Sequence, residues 1–94
     1  MGRAARPKST RLGSKLLVIR ESLDTTQEEM LEELGLADRR FRSAVSGYET
    51  GTREPPLTIL LIYAELAGVW LDVLVDDRMS LPKKLPADQR KQLK

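Results

Sequence analysis

The 94-residue chain contains no histidine and no cysteine. Without imidazole there is no general base poised near neutrality, no neutral-nitrogen metal ligand and no charge switch between about pH 5 and 8. Without thiols, thiolate catalysis, disulfides and zinc fingers are excluded, and a reducing cytoplasm is a compatible setting. An enzyme would have to rely on carboxylates, Lys, Ser, Thr and Tyr. A chain of this length forms one domain, and so small a core seldom encloses the pocket of several hundred Å3 that a substrate needs. A binding module is the better expectation, with no enzymatic activity and no cofactor. The adjacent Asp76 and Asp77 are the nearest approach to a metal-binding pair, but no further ligand set accompanies them.

The chain also lacks an uninterrupted apolar stretch. Its most apolar region, Leu57 to Val75, has 15 apolar residues in 19 but is broken by Thr58, Glu65, Gly68 and Asp72, which suits a buried segment better than a membrane span. The basic N-terminus, MGRAARPKSTR, runs into amphipathic sequence and does not read as a secretory signal.

What the chain does have is unevenly placed charge. The total of 16 Lys and Arg against 14 Asp and Glu gives only +2. Residues 1–15 carry +5, residues 83–94 carry +4, and the middle carries −7. Two basic tails thus flank an acidic body. Half of the body's six basic residues, Arg39, Arg40 and Arg42, fall within four positions, while acids gather at Glu28, Glu29, Glu32 and Glu33 and at Asp72, Asp76 and Asp77.

Along the chain, residues 1–9 read as a disordered basic arm. Leu12, Leu16, Ile19 and Leu23 recur at helical spacing and predict a first helix over residues 10–23. Thr26-Gln27-Glu28-Glu29 has the form of a capping box, so a second helix starts at Gln27, points Met30, Leu31 and Leu34 inward and stops at Gly35. Val45 and Tyr48 mark a third helix within 42–49, ended by Gly51 and the pair Pro55-Pro56. A fourth runs from about Leu57 to Ala67, with Gly68 as its C-terminal turn, and a fifth over Leu71 to Asp76. No strand-like alternation occurs, so the expectation is an all-α body over residues 10–78 with a weakly ordered C-terminal extension over 79–94.

The two short helices 27–34 and 42–49, joined by a turn, form a helix-turn-helix pattern. Together with Leu34-Gly35, Val45-Ser46, Tyr48-Glu49, Gly51, Arg53, Pro55, Leu60-Leu61, Tyr63-Ala64, Ala67-Gly68-Val69 and Asp72 to Leu74, the pattern resembles the Cro and phage-repressor type, or XRE, family of DNA-binding proteins over residues 12–77. The resemblance implies a compact five-helix, lambda-repressor-like domain that reads double-stranded DNA as a homodimer. Gln27 matches the family's phosphate anchor, where a helix N-terminus also favours an anion. Arg42, Ser43, Ala44, Ser46 and Gly47 correspond to the exposed face of the recognition helix, with Arg42 able to bond guanine in bidentate fashion. Arg53 matches a basic phosphate contact after that helix. Arg20 and Glu49 match positions that pair in several members and are read as scaffold.

The chain departs from the pattern in its connection Leu36 to Phe41, which is about four residues longer than usual. The extra Arg39 and Arg40 can reach a phosphate, or the segment can fold into a helical turn capped by Asp38. Trp70 stands where the family favours serine. If Ile62, Trp70 and Val73 are exposed, they form an apolar patch, to be met either by a second copy of the chain or by Leu81 and Leu85 folding back over it.

Two functions follow. The first is a sequence-specific transcriptional regulator, a repressor by resemblance, located in the cytoplasm with the bacterial or phage nucleoid. The alternative is a protein-interaction module, such as an antitoxin or adaptor, that uses the acidic body and apolar patch and in which DNA binding is secondary or lost.

Overall fold

The computed structural model describes residues 11–85. The arm expected over 1–9 and the end of the C-terminal extension, from residue 86, lie outside the described residues, and with them most of the basic tails. Among the described residues there are five α-helices and no strand: α1 (Leu12–Ser22), α2 (Gln27–Glu33), α3 (Ala44–Thr50), α4 (Leu57–Ala67) and α5 (Leu71–Val75). None of them is long and apolar enough to cross a membrane.

Local chemistry sets the boundaries. The capping box at α2 is complete: the Glu29 N–H donates to Thr26 Oγ1 at 3.0 Å, and the Thr26 N–H donates to Glu29 Oε1 at 2.9 Å. α2 closes through Gly35 at φ +75°, with the Leu36 N–H returning to the Leu31 carbonyl and the Gly35 N–H to that of Glu32. This paired closure satisfies two carbonyls that the helix itself leaves open. α1 uses the same closure with Asp24 at φ 57°, a left-handed position that aspartate tolerates better than most side chains.

The core is one cluster. Leu16 and Ile19 of α1, Met30 of α2, Val45 of α3, Tyr63 of α4 and Leu74 of α5 are all fully buried. α1 packs against α3, α4 and α5, α2 packs on α3, and α4 on α5. At about 1.5–3 kcal/mol for each large apolar side chain removed from water, this cluster supplies most of the force that orders such short helices.

Three features bear on the expected patch and on the expected limit of the body. Val73 is buried and Ile62 is half-buried against the core, because α4 and α5 pack on each other and on α1. Trp70 alone of the expected patch is open, at 82% exposure. The core also extends past residue 78: Leu81 and Leu85 fold back, as one of the two expected alternatives has it, with Leu85 fully buried and Leu81 packed against the cluster, but they leave Trp70 open. The segment from Ser80 to Lys83 runs alongside Arg11, Ser14 and Val18 of α1.

Lys15 was not singled out by the sequence, yet it is the one fully covered cation among the described residues. Its Nζ donates to the Val73 carbonyl at 2.7 Å and the Asp76 carbonyl at 3.0 Å, closing the C-terminal end of α5. Burial, then the charge of Arg11, lowers its pKa, with Asp77 and Asp76 opposing. Arg11 adds a second tie, donating to the Asp77 carbonyl at 2.7 Å and to Ser80 Oγ at 3.0 Å.

Candidate nucleic-acid interface

α2 and α3 form a two-helix unit whose connection is a capped turn. Asp38 Oδ1 accepts the Arg40 N–H at 2.9 Å, and residues Arg39–Phe41 make one turn of 3-10 helix. The additional residues of the connection are thus absorbed as helical structure with its own cap. Arg40 is held back toward this turn, with its Nε 3.3 Å from Asp38 Oδ1 and its guanidinium 5.1 Å above the Phe41 ring. Arg39 and Arg42 are exposed, and neither has an ion-pair partner among the described residues.

α3 itself begins later than the spacing suggested. Arg42 and Ser43 precede it, Ser43 standing at its N-cap, and both are exposed. Ala44 is fully buried with Val45 and Tyr48, so it belongs to the core side and not to the open face. One helical turn before Tyr48 and adjacent to Val45, Ala44 shares their inward face. Gly47 is also covered. A Cβ built there would lie 3.0 Å from Arg53 Cγ and Cδ, because the Arg53 side chain crosses the helix at that point. The Arg53 N–H donates to the Gly47 carbonyl at 3.1 Å, fixing the crossing. Of the residues expected on the open face, Arg42 and Ser43 are exposed and Ser46 is half-exposed.

Beneath this face lies the scaffold. Arg20 holds Glu49 with two hydrogen bonds, Nε to Oε2 at 2.6 Å and Nη2 to Oε1 at 3.2 Å, and donates a third to the Thr25 carbonyl at 2.8 Å. The Arg20 and Glu49 side chains are only 15% and 5% exposed, so the pair is largely withdrawn from water. The hydrogen bond to Glu49 raises the Arg20 pKa further. Gln27 joins the network: its Nε2 donates to Glu49 Oε1 at 3.0 Å. The expected phosphate anchor is therefore also the link that ties the start of α2 to α3. One carboxylate thereby joins α1, α2 and α3.

Two close approaches complete the site. At Gly13 a Cβ would stand 2.6 Å from the Glu49 carbonyl oxygen and 2.9 Å from that of Tyr48, so α1 meets the backbone of α3 directly. Tyr63 lies under the same region. Its hydroxyl is buried without a hydrogen-bond partner among the described residues, and burial, then the Glu49 and Tyr48 charges, pushes its pKa well above the usual tyrosine value.

No group of three or more acidic side chains among the described residues is placed to hold a metal ion. The outer surface instead offers three arginines, two serines and Gln27 around the short α3. No family model matches the chain, and no curated protein or solved structure matches it.

Proposed function

We propose that the chain is a sequence-specific DNA-binding protein, a lambda-repressor-like transcriptional regulator that sets α3 into the major groove. The observation that carries this reading is the exposed cationic edge of Arg39, Arg42 and Arg53 around a two-helix unit locked by Arg20, Glu49 and Gln27. Arginine at the mouth of a short helix can bond guanine edges in the major groove, whereas Arg53, Ser43 and Ser46 suit phosphate contacts. Because Ala44 and Gly47 are covered, base reading falls mainly on Arg42 and on sequence-dependent DNA shape. Action as a repressor, and a homodimer spanning two half-sites about one helical turn apart, accompany this reading.

Selection of bound duplexes from a random library, followed by titration over a range of salt, tests it. Arg42→Ala then lowers affinity for the selected sequence by roughly 1–3 kcal/mol and relaxes its specificity, while Arg53→Ala weakens all duplexes and flattens the salt dependence. No binding at low salt would leave the second reading, a protein-interaction module. That reading draws on the Trp70 indole, 82% exposed, a large amphipathic side chain of the kind enriched at interfaces.

A further inference from the structure

An open groove of about 780 Å3 separates the outer face of α2 from the capped turn before α3. Glu28 and Glu32, one helical turn apart on α2, line one wall, and Arg39 and Arg42 line the other. The remaining acids of the groove are engaged: Glu29 closes the capping box, and Asp38 caps the turn and holds Arg40. None of Glu28, Glu32, Arg39 and Arg42 makes an ion pair among the described residues. The two arginines most available to DNA thus share one groove with two uncommitted carboxylates.

Resting on the DNA-binding reading above, we infer that Glu28 and Glu32 are specificity-determining residues that hold Arg39 and Arg42 back from phosphates on arbitrary DNA. A phosphate entering the groove comes within about one Debye length, roughly 8 Å at physiological salt, of both carboxylates. Binding to arbitrary sequence is almost wholly a matter of neutralised phosphates, so it carries this repulsion in full. A base edge is uncharged, and a bidentate arginine bond to guanine keeps most of its strength beside the same carboxylates. The acidic wall therefore weakens indiscriminate binding more than sequence reading.

The test compares the full chain with Glu28→Gln/Glu32→Gln on a random-sequence duplex and on a duplex selected by the wild type, at about 0.1 M salt. Two screened surface charges change affinity by about fivefold, so the variant binds random duplex about fivefold tighter and selected duplex less than twofold tighter. A control, Glu33→Gln/Glu65→Gln, removes two exposed charges that do not line the groove and leaves the ratio between duplexes unchanged. Equal tightening on both duplexes, no tightening, or the same gain from the control pair would overturn the inference while leaving DNA binding intact. Absence of binding by wild type and variant alike overturns the DNA-binding reading and this inference together. Thermal melting of each variant at matched concentration confirms that folding is unchanged.

Discussion

Arg53 lies across α3 at the one position, Gly47, where the helix has no side chain, with its Cγ and Cδ 3.0 Å from the site of the missing Cβ. The relationship joins packing to proposed function, since the guanidinium that would meet a phosphate is aimed by its own aliphatic stem lying on a glycine. In Gly47→Ala the gain in helix propensity, about 0.5–1 kcal/mol, is offset by displacement of this stem. Thermal stability is expected to stay within a few degrees of the wild type, while affinity for random duplex falls to the level of Arg53→Ala. Fluorescence anisotropy and melting on the same samples check both halves, and full affinity in Gly47→Ala would show that Arg53 needs no such support.

Gly13 behaves differently because its neighbour is backbone. An added methyl would stand 2.6 Å from the Glu49 carbonyl oxygen, so α1 and α3 must separate. Gly13→Ala is expected to cost about 1–3 kcal/mol by chemical denaturation, despite alanine's better helix propensity. A stabilised Gly13→Ala protein would contradict the contact.

The Arg20–Glu49 pair predicts a strong asymmetry between single and double variants. Arg20→Ala strands a carboxylate whose side chain is 5% exposed and is expected to cost roughly 3 kcal/mol or more. Replacing both partners by apolar residues, Arg20→Met with Glu49→Leu, is expected to cost less than Arg20→Ala alone. Urea titration of the three proteins measures the difference.

Tyr63 carries the alkaline prediction. Its pKa is raised in the folded state, so the folded chain retains the phenolic proton after the unfolded chain has lost it. The resulting stability is fully present below about pH 10, the unfolded value, and is lost as pH rises through the folded value. Tyr63→Phe removes a buried hydroxyl with no partner among the described residues, so at neutral pH it is expected to be neutral or to stabilise by up to about 1 kcal/mol. The advantage of Tyr63→Phe over wild type widens above pH 10 in parallel denaturation curves.

The elements that could be read from sequence are those with local causes. The Thr26–Glu29 box, the stops at Gly35, Gly51 and Gly68 and the helical spacing of Leu12, Leu16 and Ile19 each depend on residues a few positions apart, and the helices follow them closely. What escaped depends on distant partners. Gly13 and Gly47 matter through what fills the space of an absent side chain, and neither the Glu49 carbonyl nor the Arg53 stem is visible in local spacing. Lys15 looked like part of a basic tail, but its partners are carbonyls of residues 73 to 76. Ala44 was the exception: its spacing of four residues from Tyr48 already marks the core face, but the resemblance to a recognition helix assigned it to the open side. Leu85 and Leu81 were legible only as one of two alternatives, because a stretch of Pro and Lys around them has no helical spacing to say what they pack against.

The hydrogen bond from Arg11 to Ser80 spans 69 positions, and the groove beside it brings Arg11 next to Lys83. In topological terms the described body is nearly a ring. The segment after α5 and the start of α1 are therefore coupled, and their amides are expected to open to exchange together as one unit.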